Sequence, residues 1–115
     1  MASKNSSKVP AAEQAPVTHE SQVTILQEAQ SLVYGARNAD YGHPADDFAA
    51  VAKAFNAYIE KKYNIVGLLE ATDVPIFQII VKIMREANKP KRDNLVDIAG
   101  YAATLEMVHD IQGRD

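Results

Sequence analysis

The sequence predicts an all-α domain, a four-helix antiparallel bundle with a polar N-terminal arm. Three observations predict it. Apolar residues recur at helical spacing in four separate stretches. Gly, Pro and Asn break the chain between them, and the connections are short enough to make neighbouring helices antiparallel. No stretch shows the alternation of a half-buried strand, and no internal repeat is visible.

Residues 1–20 are rich in Ser, Ala, Lys, Pro and Gln and follow neither a helical nor a strand period. They carry too little apolar surface to offset their ordering entropy, so they form a free tail or an arm that orders against a partner subunit. The single helical-bundle domain is expected over 21–112. Its first helix carries Ile25, Leu26, Ala29, Leu32 and Val33 on one stripe, with Ser21 or Thr18 as its cap. Gly35 weakens its end, and NADYGHP (38–44) breaks it. The second helix, 45–63, has the stripe Phe48, Val51, Ala52, Phe55 and Ile59. Pro44 suits its first turn, Asp46 and Asp47 its positive end, and Lys61 and Lys62 its negative end. NIVGLLEA is an irregular link or a short extra turn. The third helix begins near Thr72, a natural cap, with Pro75 tolerated in the first turn. Ile76, Phe77, Ile79, Ile80, Val81, Ile83 and Met84 make it apolar nearly all round. Pro90 stops it, and the fourth helix runs from about Asp93 to Ile111.

At 115 residues the chain is long enough for one domain and its core, and too short for two ordinary ones. A net charge of −3 argues against nonspecific binding to nucleic acid or anionic membranes, while leaving room for a local basic pocket. The lack of cysteine removes disulfides, thiolate metal sites and cysteine nucleophiles. Neither a membrane span nor a signal-peptide core is visible, which fits a cytoplasmic protein. The wide apolar faces of the third and fourth helices exceed what one small bundle buries, so a homodimer or higher oligomer is expected.

The chemistry is concentrated in a few polar residues set among apolar ones. Asp93 and Asp97 lie four apart on one helix, and two carboxylates so placed suit Mg²⁺, which takes oxygen ligands and keeps several waters. The structural alternative makes Asp93 the helix cap and Asp97 a solvated residue of the next turn. Lys82 and Arg85 interrupt the most apolar helix. They either pair with the acids of the fourth helix or clamp a phosphate. Arg37, Asp40, Tyr41 and His43 crowd one loop, where Arg37 suits a phosphate and Tyr41 suits stacking on a base. The alternative is a loop pinned by an Arg–Asp pair. Glu28 lies beside the first stripe as a candidate third acid. Gly100 and Tyr101 mark close helix packing, with the Tyr101 hydroxyl reaching a partner at the bundle edge.

The stretch ILQEAQSLVYGARNADYGHPADDF, the later K-x-x-R in VKIMREA and RDNLVDIAGYAA together resemble a family of small uncharacterised domains common in phages and prophages. The resemblance covers residues 24–106 and implies the cytoplasm of an infected or lysogenic bacterial host. More distantly, DNLVDIAGYA resembles the E-x-x-D helix of the MazG-like all-α nucleotide pyrophosphohydrolases. That resemblance implies a MazG-like bundle, Mg²⁺, and hydrolysis of a nucleoside triphosphate to monophosphate and pyrophosphate. Asp97 would stand at the last acid of the motif and Asn94 in place of its Glu. Glu28, Asp93 and Asp97 would hold the metal, with Asp93 and Asp97 catalytic. Arg37, Tyr41, Lys82, Arg85, Asn94 and Tyr101 would hold the nucleotide. The third helix departs from the pattern. Where an E-E-x-x-E motif is expected it reads FQIIVKIMREA, with Lys82 and Arg85 in place of acids. The departure keeps two alternatives open: a non-catalytic nucleotide-binding protein, and a phage helical assembly or interaction protein.

Overall fold

The computed structural model describes residues 23–36 and 42–113. They form four helices and, among the described residues, no strand: α1 (Ile25–Ser31, continued by a π turn over Leu32–Ala36), α2 (Pro44–Tyr63), α3 (Asp73–Asn88) and α4 (Arg92–Ile111). No helix of the described residues is long and apolar enough to cross a membrane.

The cap of α1 is Thr24, not Ser21 or Thr18. Its hydroxyl accepts from the Gln27 N–H at 3.1 Å, and the Gln27 side chain accepts from the Thr24 N–H at 2.9 Å. This reciprocal box satisfies two of the otherwise unpaired donors of a helix start. At α2, Pro44 is the first helical residue. His43 is the cap, its Nδ1 accepting from the Ala45 N–H at 3.0 Å. A histidine read as part of a binding loop thus has a structural role. Asn64, in the left-handed conformation at φ 61°, ends α2. The link that follows is held by one side chain. Asn56 donates to the Leu69 carbonyl at 2.9 Å and accepts from the Leu69 N–H at 2.8 Å.

Thr72 and Asp93 are not side-chain caps. Thr72 precedes α3 without a capping bond. The Asp73 carboxylate accepts instead from the Glu70 N–H at 2.8 Å. Helix α4 starts one residue before Asp93, after Lys91, and has no side-chain cap. Asp93 lies in its first turn, where a carboxylate faces the positive end of the dipole.

Helix α4 is the hub. It packs against α1, α2 and α3, most extensively against α3, while α1 touches neither α2 nor α3. The core lies between α2, the start of α3 and the second half of α4, where Phe48, Ala52, Val74 and Val108 are buried together. Tyr101 packs against this cluster. Ala29 and Val33 are buried where α1 and its π turn meet α4. There a Cβ added at Gly100 would meet Val33 Cγ2 at 3.4 Å, so the approach is close but does not demand glycine.

Helix α3 is turned inside out for a lone chain. Gln78, Lys82 and Glu86, spaced four apart on one face, are partly buried, and Lys82 and Glu86 reach partners on the α4 side. The apolar residues Ile76, Phe77, Ile80, Val81, Ile83 and Met84 are exposed, Met84 to 64 %. A helix that is apolar nearly all round has no single preferred face. Its rotation is set here by the polar bonds to α4.

Candidate functional site

The short connector Lys89–Lys91 folds α3 back along α4 and places the polar face of each against the other. Lys82 of α3 reaches Asp97 of α4, Nζ to Oδ2 at 2.9 Å, with side chains 16 % and 36 % exposed. One turn further along α3, Glu86 accepts twice through Oε1, from Asn94 Nδ2 at 3.1 Å and from the Lys91 N–H at 3.0 Å. Asn94 is buried, and this bond is what allows its amide to sit there. Both bridges tie the two helices together, and Glu86 also fixes the connector. Of the network of cations and carboxylates expected between the third and fourth helices, the Lys82–Asp97 pair is present, while Arg85 takes no acidic partner among the described residues.

Beside it the helices leave an open cleft of about 720 Å³. Its polar lining comprises Lys82, Arg85, Lys89 and Lys91, the carboxylates of Asp93 and Asp97, and the amides of Asn88 and Asn94. Ile80, Val81 and Met84 form an apolar wall. Lys82 is matched by Asp97. Arg85, Lys89 and Lys91 have no acidic partner among the described residues. Four cations against two carboxylates make this a positive surface on a chain of net charge −3. Such a surface suits a multiply charged anion, with Arg85 supplying a planar fork of donors for a phosphate.

The sequence-predicted site residues separate into three groups. Asp93, Asn94, Asp97, Lys82 and Arg85 all line the cleft. Glu28 and Tyr101 do not. Glu28 is bound by Arg92 Nη1, while Arg92 Nη2 donates to the Val23 carbonyl at 2.8 Å, which clips the start of α1 onto the start of α4. Tyr101 is occupied by the core, and its carbonyl accepts from the Thr104 hydroxyl at 2.9 Å. Arg37 and Tyr41 lie outside the described residues. Lys89, Lys91 and Asn88 line the cleft without having been singled out. The signal for them is the basic run NKPKRD (88–93), which carries more charge than the helix stop at Pro90 requires.

A resident Mg²⁺ held by Glu28, Asp93 and Asp97 does not fit this arrangement. Glu28 is engaged by Arg92 and Asp97 by Lys82. Among the described residues no three acids or histidines come together in a way that could hold a metal ion. The physical reason is that the Lys82 ammonium occupies the space beside Asp97 that a metal ion would need.

A second, smaller groove of about 390 Å³ runs between α1 and α4, lined by Leu26, Ala29, Gln30, Tyr34, Ala99 and Ala103. It holds no charged group.

Comparison with known proteins gives a family and no activity. Residues 24–109 match the model of a domain of unknown function, DUF6378. The chain is 38 % identical over 88 residues to the Gene 55 protein of Mycobacterium phage D29, covering 76 % of this chain and 54 % of that protein. It is 35 % identical over 85 residues to the Gene 55 protein of Mycobacterium phage L5, covering 73 % and 51 %. The chain thus spans about half the length of the curated relatives it matches. No solved structure matches it. With the match extending from the cap of α1 almost to the end of α4, the chain belongs to the DUF6378 family, which is found in mycobacteriophages.

Proposed function

We propose that the α3–α4 cleft binds the phosphates of a nucleotide, and that the protein is a nucleotide-binding member of its family. The observation that carries this reading is the convergence of Lys82, Arg85, Lys89 and Lys91 on one cleft, three of them without an acidic partner among the described residues. Like charges gathered on one surface repel one another, and a bound anion relieves that repulsion. The apolar wall of Ile80, Val81 and Met84 offers a hydrophobic surface to a base. The basic connector adds backbone-anchored charge, because Glu86 fixes the Lys91 N–H.

The test is a thermal-shift screen of ribo- and deoxynucleoside triphosphates, with and without Mg²⁺, set beside tripolyphosphate. Stabilisation by the polyphosphate and by at least one nucleotide is expected, weakening with added salt as the cations are screened. Arg85→Gln should weaken binding by about tenfold, the equivalent of one charge-assisted hydrogen bond. No shift with any of these anions would refute the reading.

A second reading is pyrophosphohydrolysis of the bound nucleotide in a MazG-like bundle. It is supported by Asp93 and Asp97, one turn apart on the cleft wall that also carries the cations. The same screen tests it through pyrophosphate release in the presence of Mg²⁺. Binding without release would leave the protein a binder.

A further inference from the structure

We infer that the segment of this chain preceding α1 docks in the groove between α1 and α4, with residues 12–16 laid along it as an extended strap. The groove is neutral and lined by small side chains. Ala29, Ala99 and Ala103 form its floor, and Leu26 and Tyr34, 72 % and 52 % exposed, stand at its two ends. Three alanines leave room for a backbone and short side chains, and no charge there calls for a charged ligand. The amide of Gln30 also lines the groove and has no partner among the described residues, so it can donate to a backbone carbonyl. Proline-containing extended segments dock on apolar grooves that present an aromatic ring in this way.

The occupant is this chain's own segment for three reasons. First, its point of departure is fixed. Residues 1–22 lie outside the described residues, and the chain enters the fold at Val23, whose carbonyl accepts from Arg92 at 2.8 Å, three residues before Leu26. A tether at the mouth of the groove gives the segment an effective concentration on the order of millimolar, which a free partner rarely matches. Second, the lengths agree. Leu26 to Tyr34 spans about 12 Å of helix, and four steps of polyproline II also span about 12 Å. Residues 17–22 suffice to reverse the chain between Val23 and the groove. Third, the composition agrees. Residues 10–17 read PAAEQAPV, and Pro10 and Pro16 favour the extended form and lower the entropy lost on docking. With three residues per turn, Ala12 and Ala15 fall on one edge, over the alanine floor, while Glu13 and Gln14 face water. Pro16 then lies beside Leu26 and Ala12 beside Tyr34. The strap runs antiparallel to α1 and ties down the one helix that packs on α4 alone.

The experiment is paramagnetic broadening in the full chain. The sequence has no cysteine, so a nitroxide attached at Gln14→Cys reports where the segment lies in the ¹⁵N-labelled protein. The amide signals of Tyr34 and Ala103, at the end of the groove far from Val23, should be broadened more than those of Lys91 and Asp93, which flank Arg92 where the segment leaves the fold. Tyr34→Ala should abolish that preference at unchanged helix content, because the residue is 52 % exposed. If that variant misfolds, Leu26→Ala takes its place at a position 72 % exposed and should give the same loss. Tyr63→Ala, 58 % exposed at the end of α2, should leave the broadening unchanged. Broadening that is strongest beside Val23 and fades evenly on every side marks a segment that docks nowhere, and overturns the proposal. Broadening centred on another surface, the exposed face of α3 included, overturns it too. So does a pattern that survives both Tyr34→Ala and Leu26→Ala. A mixture of nitroxide-bearing chain with ¹⁵N-labelled chain lacking the label gives the last check. Broadening of Tyr34 and Ala103 in that mixture would assign the strap to a neighbouring molecule and overturn docking within one chain.

Discussion

Replacing Asp97 by Asn separates two roles that the position could have. In the structure Asp97 is the counter-charge of Lys82, whose side chain is 16 % exposed. Asn keeps the shape and removes the charge. A fully exposed pair contributes under about 1 kcal/mol, and breaking a buried one costs about 3–5 kcal/mol. Asp97 is 36 % exposed, so the pair belongs nearer the first limit, and a loss of about 1–2 kcal/mol is expected. For a domain of this size that lowers Tm by about 5–15 °C. The loss should be confined to the free protein. With Asp97 neutral, Lys82 is released towards the cleft and a negative charge beside the phosphates is gone. Tripolyphosphate affinity should therefore rise several-fold, to about tenfold at low salt. Calorimetric titration of wild type and Asp97→Asn checks this, and a double-mutant cycle with Lys82→Met should give a coupling of about 1 kcal/mol. A folded Asp97→Asn protein that no longer binds, or a coupling near zero, would refute the assignment of Asp97 as a counter-charge.

Glu86→Ala removes the acceptor of the buried Asn94 amide and of the Lys91 N–H, and should cost about 1–3 kcal/mol in urea unfolding, with Glu86→Gln recovering part of it. Asn56→Ala breaks both bonds to Leu69 and should cost about 1–2 kcal/mol, with faster limited proteolysis between Asn64 and Leu69 and unchanged anion binding.

The helices were legible wherever one residue type forces a boundary. Pro44 opens α2, and the pair Lys61 and Lys62 marks its end within a turn. Caps were less legible, because several polar residues compete near each start. Thr24 won over Ser21 and Thr18 through Gln27, whose side chain returns to the cap. His43 was overlooked as a cap because Ser, Thr, Asp and Asn are the usual residues there. The site was half visible. Lys82, Arg85 and Asp97 drew attention as polar residues among apolar ones, and all three reach the cleft. Glu28 drew attention for the same reason and does not reach it. The difference is a matter of helix rotation. Helix α3 is apolar nearly all round, so its pattern leaves the inward face undetermined, and α1 packs on α4 from another side than α3. Which acids meet which bases is settled only once each helix is turned about its own axis.

The hub position of α4 also orders the birth of the fold. It is the last of the four helices to be made, yet it contributes Val108 to the core with Phe48, Ala52 and Val74, and every helix docks on it. Until α4 has emerged from the ribosome, α1 has no surface to pack against and the polar face of α3 has no partner for Lys82 or Glu86. From the completion of α3 until α4 is made, the nascent chain therefore leaves the polar face of α3 open, and the docking of α1 and of that face waits for the last helix.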